Sequence, residues 1–243
     1  MSSVSETGHA KNIANLQDLI AFATGYGVSY SPTKNALKLP QLNALLAASQ
    51  LSLADVITNN TAFNNKVNDR QIAFSNLKSL ATRLINALQS TDATAEKIAD
   101  AKTFNKKIQG TRAKAITTPT DPNTPAPTTI STSQQSYDQK IQHLAGIISV
   151  LQSEISYAPN EIDLKIVTLT TKQTDLSAKN NAVATAHVNA SNARISRDTN
   201  LYAPATGILA VAAEVKKYIK SVFGATSPQF AQVKGIDFTN KRR

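Results

Sequence analysis

Apolar residues recur at helical spacing along most of this chain. In the first such stretch, about residues 9–24, they lie three or four positions apart and would form one stripe on a helix. The members of that stripe are Ile13, Leu16, Leu19, Ile20 and Ala23. A second stripe, within about residues 137–153, consists of Ile141, Leu144, Ile147, Ile148 and Leu151. The pattern predicts two amphipathic helices, and the Gly25-Tyr26-Gly27 segment is expected to end the first.

The segment that follows each of these helices has a seven-residue spacing. In the second half of the chain one row is Ile162, Leu169, Leu176, Val183 and Ala190, and its companion row is Ile166, Gln173, Asn180 and His187. In the first half the rows are Leu42, Ser49, Val56 and Phe63, with Leu39, Leu46, Leu53, Asn60 and Val67. A repeat of seven keeps one seam toward a partner helix, so the pattern predicts long helices in a coiled-coil-like bundle.

The length of the first long helix depends on what interrupts it. No proline or glycine occurs in residues 41–89. We therefore expect one helix of ~70 Å, at 1.5 Å per residue. The asparagine clusters Asn59-Asn60 and Asn64-Asn65 leave a turn in this region as the alternative.

Breaks and caps are easier to place in the second half. Pro204 and Gly207 are expected to interrupt the equivalent helix. Ser227 followed by Pro228 is a strong start signal for the last helix, and Thr94 or Asp92 would serve in the first half. No run alternates with period two for long enough to indicate a sheet. The sequence therefore predicts an all-α fold.

Several segments of the first half match segments of the second half in the same order. Tyr30 and Pro32 match Tyr157 and Pro159, 127 positions later, and the surrounding residues align as well. Leu42, Val56 and Arg70 match Leu169, Val183 and Arg197 at the same offset. A later block, residues 93–102, matches residues 225–234. We interpret these matches as an internal duplication, with two pseudo-symmetric copies of one helical repeat.

A proline-rich stretch separates the two predicted copies. Residues 116–133 read ITTPTDPNTPAPTTISTS, a composition that disfavours helix and favours an extended linker. The predicted organisation is a flexible N-terminus at 1–8, helical repeat 1 at 9–110, a Pro/Thr-rich linker at 111–135 and helical repeat 2 at 136–243. Each repeat would contain a first helix, a Tyr-x-Pro corner, a long helical region and a short last helix.

Composition changes the picture mainly by exclusion. The chain of 243 residues has no cysteine, which excludes disulfide scaffolds and thiolate metal sites. Its longest apolar run, residues 208–213, is too short to span a membrane. The N-terminus shows no secretory signal pattern, so a cytoplasmic location is expected. The chain is rich in Thr, Asn and Ala. A weakly charged surface of these residues suits packing against other copies better than a highly charged surface does.

The formal net charge of +10 is concentrated in two places. Residues 97–114 and residues 214–243 each carry a net charge of +5, and the remainder is neutral. These lysines could simply complement helix C-termini, or they could contact an anionic polymer or an acidic protein surface. The candidate anion or partner contacts are Lys102, Lys106, Lys107, Arg112, Lys114, Lys234, Lys241, Arg242 and Arg243.

No pattern typical of an enzyme is present. The motifs GxSxG, GxxxxGK[ST], GxGxxG and HExxH are absent. His9, His143 and His187 lack a second ligand at helical spacing, so no metal or cofactor is expected. His187 lies in the polar row of the seam. We expect its side chain to be solvated or bonded to a partner, and a pH-sensitive contact is the alternative.

For the remaining candidate residues, a structural role is a simpler interpretation than a functional one. Glu161 and Asp163 are expected in the first turn of the long helix, where they favour the positive helix terminus. Tyr30 and Tyr157 are expected to pack at corners, with ligand stacking as the alternative. Arg70 and Arg197 are expected to pair with the neighbouring Asp69 and Asp198, with an anion contact as the alternative.

The sequence therefore predicts a non-enzymatic structural or interaction protein. A tandem helical module of this kind would self-assemble or scaffold partner proteins. The alternative is a protein that binds nucleic acid or another anionic polymer through the two basic clusters. Membrane insertion is not favoured because no apolar hairpin is present, and no small-molecule substrate is indicated.

Overall fold

The computed structural model describes residues 8–110 and 135–240, and all regular structure in them is helical. The all-α prediction is confirmed. The α-helices are α1 (His9–Gly25), α2 (Leu39–Phe74), α3 (Leu77–Gln89), α4 (Ala95–Gln109), α5 (Tyr137–Gln152), α6 (Ile166–Tyr202), α7 (Ile208–Phe223) and α8 (Pro228–Lys234). Short 3-10 turns span Gly27–Ser29, Asn35–Leu37 and Ile162–Leu164.

The chain forms two compact units. Unit 1 comprises Met1–Phe63 with Ala186–Arg243, and unit 2 comprises Asn64–Thr185. Each of the two long helices, α2 and α6, therefore contributes one part to each unit. The predicted repeats, 9–110 and 136–243, are continuous stretches of the sequence. Each compact unit, in contrast, contains helices from both stretches. Most of the predicted linker, residues 111–134, lies outside the described residues, as does 1–7 of the predicted flexible N-terminus.

Unit 1 is built around the contact of α1 with α7 and α8. Its apolar core combines the predicted stripe of α1 with residues from the other end of the sequence. Leu16 and Leu19 of α1 are fully buried, together with Val215 and Ile219 of α7. The stripe predicted for α1 is therefore the buried face, and its partner helices come from the other end of the chain.

Unit 2 is built around the contact of α5 with α4, with α3 completing the core. The stripe of α5 is buried here, including Leu144 and Ile147. Where α4 crosses α5, the ring of Phe104 lies directly over Gly146, so close that a β-carbon at Gly146 would be 2.5 Å from the ring. Glycine at this position therefore permits the close approach of the two helices.

The predicted single helix over residues 41–89 is wrong, because the helix ends at Phe74 and a new one begins at Leu77. At the break, the Ser75 amide and hydroxyl both donate to the Ile72 carbonyl, at 3.2 and 2.7 Å. Phe74 and Leu77 are both buried on either side of it. No proline or glycine marks this break in the sequence.

The alternative turn at the asparagine clusters is also wrong. The helix continues through residues 59–65, and the Asn59 amide donates to the Asp55 carbonyl one turn earlier, at 2.8 Å. In this position the asparagine side chain bonds its own helix and does not end it.

The predicted break in the second half is confirmed. Helix α6 ends at Tyr202 and α7 begins at Ile208, with Gly207 as the N-cap residue. A β-carbon at Gly207 would lie 2.5 Å from the Ala203 backbone nitrogen, so the tight turn requires glycine. The predicted N-caps Thr94 and Ser227 are also confirmed.

In the long helix α6, most members of one predicted row are buried. Leu169, Leu176, Val183 and Ala190 of α6 are all buried. Ile162, the first member of that predicted row, lies in a 3-10 turn before the helix and is 75% exposed. The loop before α6 therefore takes this residue out of the row.

Candidate interaction site

The structure places only part of the predicted basic contact set. Lys102 and Lys106 are exposed on α4, Lys107 beside them is half-buried, and Lys234 is the exposed last residue of α8. The other predicted contacts lie outside the described residues: Arg112, Lys114, Lys241, Arg242 and Arg243.

The C-terminal end of α4 gathers positive charge from two other helices. Its last turn carries Lys106 and Lys107, and the Lys78 ammonium donates to the Gln109 carbonyl at 2.9 Å. Lys140 of α5 is close enough that burial and the Lys78 charge lower its pKa. Cations at this position stabilise the negative helix terminus, and together they form a cationic surface in unit 2.

The second predicted cluster is partly used inside the protein. The Lys216 ammonium of α7 donates to the carbonyl oxygens of Ile236 and Lys234, and it lies 5.6 Å from the centre of the Phe238 ring. Burial lowers the pKa of Lys216, while Asp237 acts in the opposite direction. This lysine therefore holds the chain after α8, and its charge is less available to an external anion.

Both predicted tyrosine corners are packed against the chain that follows them. The Tyr30 hydroxyl donates to the Leu37 carbonyl at 2.7 Å, and the Tyr157 hydroxyl donates to the Leu164 carbonyl at 2.9 Å. Both rings are buried, and burial raises the pKa of each hydroxyl to about 12. Each tyrosine thus closes the loop between the first helix of its sequence half and the long helix that follows.

Each corner presents one aliphatic side chain to solvent, two residues before the tyrosine. Val28 is 97% exposed and Ile155 is 99% exposed, the highest values among the large hydrophobic residues described. Both residues directly precede a serine in the matched segments of the chain. The sequence analysis missed them, although the offset that aligns Tyr30 with Tyr157 also aligns Val28 with Ile155.

The loop that carries Ile155 is held by a carboxylate. Glu154 accepts from the Ser156 hydroxyl at 2.6 Å and from the Ser156 amide at 3.0 Å. It also accepts from the Lys97 ammonium at 3.0 Å. The Ser156 hydrogen bonds, followed by the one from Lys97, lower the pKa of Glu154 from 4.5 to about 2. The exposed aliphatic side chain therefore stands on a fixed loop.

Glu154→Gln is expected to lower the thermal stability of the protein at neutral pH. A carboxyl whose folded pKa is depressed stabilises the fold above its unfolded pKa, and this contribution is lost as the pH falls through the folded value. The difference in melting temperature between the two proteins should therefore shrink between pH 4.5 and pH 2. Asp100→Asn, at an exposed position of α4, is the control, and an equal pH dependence in both variants would contradict the assignment.

The prediction that Glu161 and Asp163 lie in the first turn of α6 is wrong, because both residues precede that helix. Asp163 belongs to the 3-10 turn before that helix and pairs with Arg83 of α3, whose hydrogen bond lowers the pKa of the Asp163 carboxyl. The turn ends at Leu164, whose carbonyl accepts from the Tyr157 hydroxyl at 2.9 Å.

Unit 1 has an ion pair of the opposite polarity in the corresponding loop. Lys34, between Tyr30 and α2, lies 2.5 Å from the Glu214 carboxylate of α7. In each unit the corner loop is therefore joined to a helix from the other half of the chain. The loop supplies the cation in unit 1 and the anion in unit 2.

The contacts of Arg70 differ from those that were predicted. Its guanidinium donates to the Asn180 side-chain oxygen at 2.9 Å and lies 4.0 Å from the centre of the Tyr137 ring. Asp69, the predicted partner, pairs with Lys66 on its own helix. The flat guanidinium stacks on an aromatic ring that the sequence spacing could not place beside it.

The predicted pair of Arg197 with Asp198 is confirmed, at 2.7 Å. His187 is exposed, and its ring centre lies 5.6 Å from that of Phe63. His143 is buried against α4, and burial lowers its pKa. Within residues 8–110 and 135–240, no three His, Asp or Glu side chains are grouped in a way that could hold a metal ion.

Two buried asparagines of α1 bind the segment that follows α8. Asn12 donates to the Thr239 carbonyl at 2.8 Å and accepts from the Thr239 amide at 3.0 Å. Asn15 donates to the Asp237 carbonyl at 2.5 Å. The sequence analysis missed this site, and the only signal was the position of two amides beside the apolar stripe of α1.

Comparison with known proteins adds no family to this description. No protein-family model, no curated protein and no solved structure matches the chain. In the part of the chain that the structure describes, no helix is both long and apolar enough to cross a membrane.

Proposed function

We propose that this protein is a non-enzymatic structural or interaction protein with two equivalent contact sites. The observation that carries the proposal is the matched pair of exposed aliphatic side chains, Val28 and Ile155. Exposed apolar residues occur singly on most proteins and need no explanation. Here two such residues are nearly fully exposed at the same position of two similar corners. This repetition favours a contact with another protein surface or another copy.

The proposal includes an internal duplication of the helical repeat. It is supported by the same hydrogen bond at the two corners, from Tyr30 to Leu37 and from Tyr157 to Leu164. In both halves a 3-10 turn and then a long helix follow the corner. A duplicated repeat with long, seam-patterned helices would present its contact sites in two copies, which suits scaffolding and self-assembly.

The test is sedimentation velocity over a range of concentrations. The unaltered chain is expected to self-associate. The double variant Val28→Ser with Ile155→Ser is expected to weaken the association by about tenfold or more, since burying one valine or isoleucine side chain contributes about 1.5–3 kcal/mol. Ile72→Ser, at an exposed position in the last turn of α2, is the matched control. Equal association in all three proteins would reject the proposed contact sites.

Binding of nucleic acid or another anionic polymer is the second candidate function. The observation that favours it is the cationic surface at the end of α4, where Lys78, Lys106, Lys107 and Lys140 come together. Such binding is strongest at low salt, because phosphate contacts release counterions. The candidate is rejected if DNA and RNA show no mobility shift at ~50 mM salt, and it is supported if neutralising Lys106 and Lys107 weakens a shift.

A further inference from the structure

His143 lies in the contact of α4 with α5. The imidazole is only 4% exposed, and its ring centre lies 6.5 Å from that of Phe104, the residue that packs over Gly146. Its Nε2 atom is buried, and no group in residues 8–110 or 135–240 forms a hydrogen bond with it. The sequence contains no other histidine in the range of unit 2. This contact therefore holds one buried titratable side chain whose ring nitrogen lacks a partner among the described residues.

The cations around His143 oppose a positive charge on its ring. Burial, followed by the charge of the Lys107 ammonium on α4, lowers the pKa of His143 below its ordinary value of 6.5. Lys140 lies one turn earlier on α5 itself, and Lys78 of α3 is close enough to act on Lys140. Three helices thus bring charges of the same sign to this region, and like charges disfavour a protonated imidazole.

The acidic side chains of the helices in this contact are exposed or bonded elsewhere. Helix α3 contains no acidic residue. Glu96 and Asp100 of α4 and Asp175 of α6 are exposed. Asp138, in the first turn of α5, accepts from the Asn180 side-chain amide at 2.7 Å. A protonated His143 would therefore be a positive charge buried without a counterion from these helices, which is unfavourable.

Helix α4 is less deeply buried than the helices beside it. Two of its residues, Ala101 and Ile108, are buried, whereas α3 has six buried residues and α5 has five. Segments with few buried apolar residues open locally at a lower free energy than the rest of a core. Because separation of α4 from α5 would return His143 to water, local opening of α4 accommodates the charge at a lower cost than unfolding of the whole unit.

We propose that His143 makes the contact of α4 with α5 sensitive to acid. The contact is closed when the imidazole is neutral and opens when the imidazole is protonated. Opening exposes the inner face of α4, including Phe104 and Ile108. The device lies within unit 2 and does not use Val28 or Ile155, so it goes beyond the function proposed above.

The direction of the pH dependence follows from the lowered pKa of His143. In the opened state the imidazole takes up its proton near pH 6.5, and in the closed state it does so at a lower pH. The closed contact therefore has its full stability above pH 6.5, loses stability as the pH falls through this value, and reaches the full loss below the folded pKa. Glu154, whose pKa is lowered from 4.5 to about 2, contributes its own loss only below this range.

The test is hydrogen exchange of the full chain at about pH 7 and about pH 5, expressed as protection factors to remove the pH dependence of chemical exchange. We expect protection of the α4 amides to fall by about tenfold or more, because an unpaired buried charge is costly, while the α3 amides keep theirs. His143→Gln, which cannot be protonated in this range, should abolish the loss. His187→Gln, at an exposed position, is the matched control and should retain it. Unchanged protection of α4, an equal loss in α3 and α4, or a loss that persists in His143→Gln would overturn the proposal.

A second measurement uses the unaltered chain and does not depend on the folding of His143→Gln. The imidazole protons of His143 are followed by NMR as the pH is lowered. We expect the ring to titrate below pH 6.5, over the same range in which α4 loses its protection. Titration at or above pH 6.5, or titration while α4 stays protected, would also refute the proposal.

Discussion

Replacing Leu16 with alanine is expected to lower the free energy of unfolding of unit 1 by about 2–5 kcal/mol, the usual cost of a cavity in place of a buried leucine. Leu16 is fully buried in the core that α1 forms with α7 and α8. Because these helices come from opposite ends of the sequence, the effect should reach both ends of the chain.

Hydrogen exchange followed by mass spectrometry measures this directly. Leu16→Ala should speed amide exchange in residues 9–63 and also in residues 186–240, since both belong to unit 1. Leu144→Ala, in the buried apolar stripe of α5, should speed amide exchange in residues 64–110 and 135–185. Faster exchange across 9–110 alone after Leu16→Ala would contradict the unit boundaries and favour two independently packed sequence repeats.

Gly146→Ala is expected to lower the free energy of unfolding by about 1–3 kcal/mol, the usual cost of overpacking. In an exposed helix the same change would stabilise by about 1 kcal/mol, because alanine has the higher helix propensity. The opposite sign is expected here because the new β-carbon would lie 2.5 Å from the Phe104 ring. This close approach holds α4 against α5.

A double-mutant cycle separates the two contributions. In a Phe104→Ala background the obstruction is gone, so Gly146→Ala should become neutral or stabilising. The measurement is urea-induced unfolding of the four proteins, followed by circular dichroism. If Gly146→Ala costs the same in both backgrounds, the Phe104 contact is not the reason that this position holds glycine.

Most of the helices could be predicted from the sequence, because their stripes, caps and breaks are local signals. The stripes of α1 and α5, the N-caps at Thr94 and Ser227 and the break at Gly207 all depend on residues close together in the chain. The break at Ser75 was missed, since a serine hydroxyl that bonds its own backbone leaves no distinctive composition.

The composition of the two units could not be predicted in this way. An apolar stripe indicates that a helix has a buried face but not which helix covers it. The contacts of α1 with α7 and of α5 with α4 depend on complementary shapes, such as Phe104 over Gly146. They also depend on ion pairs such as that of Lys34 with Glu214, whose partners lie 180 positions apart.

The candidate sites were predicted unevenly for a related reason. The tyrosine corners carry a repeated motif, so Tyr30 and Tyr157 stood out, whereas the exposure of Val28 and Ile155 is a property of the folded loop. The recognition of the segment after α8 by Asn12 was not predictable, because an asparagine on a helix has no sequence signal for a distant backbone partner.

The central claim, that this chain associates through matched exposed contacts, is tested most directly by light scattering of the unaltered protein over a broad range of concentrations. The account predicts a molar mass that rises with concentration above the 26.0 kDa of one chain. It also predicts that this rise is reduced when Val28 and Ile155 are both replaced by serine. A mass that stays at 26.0 kDa throughout would contradict the claim.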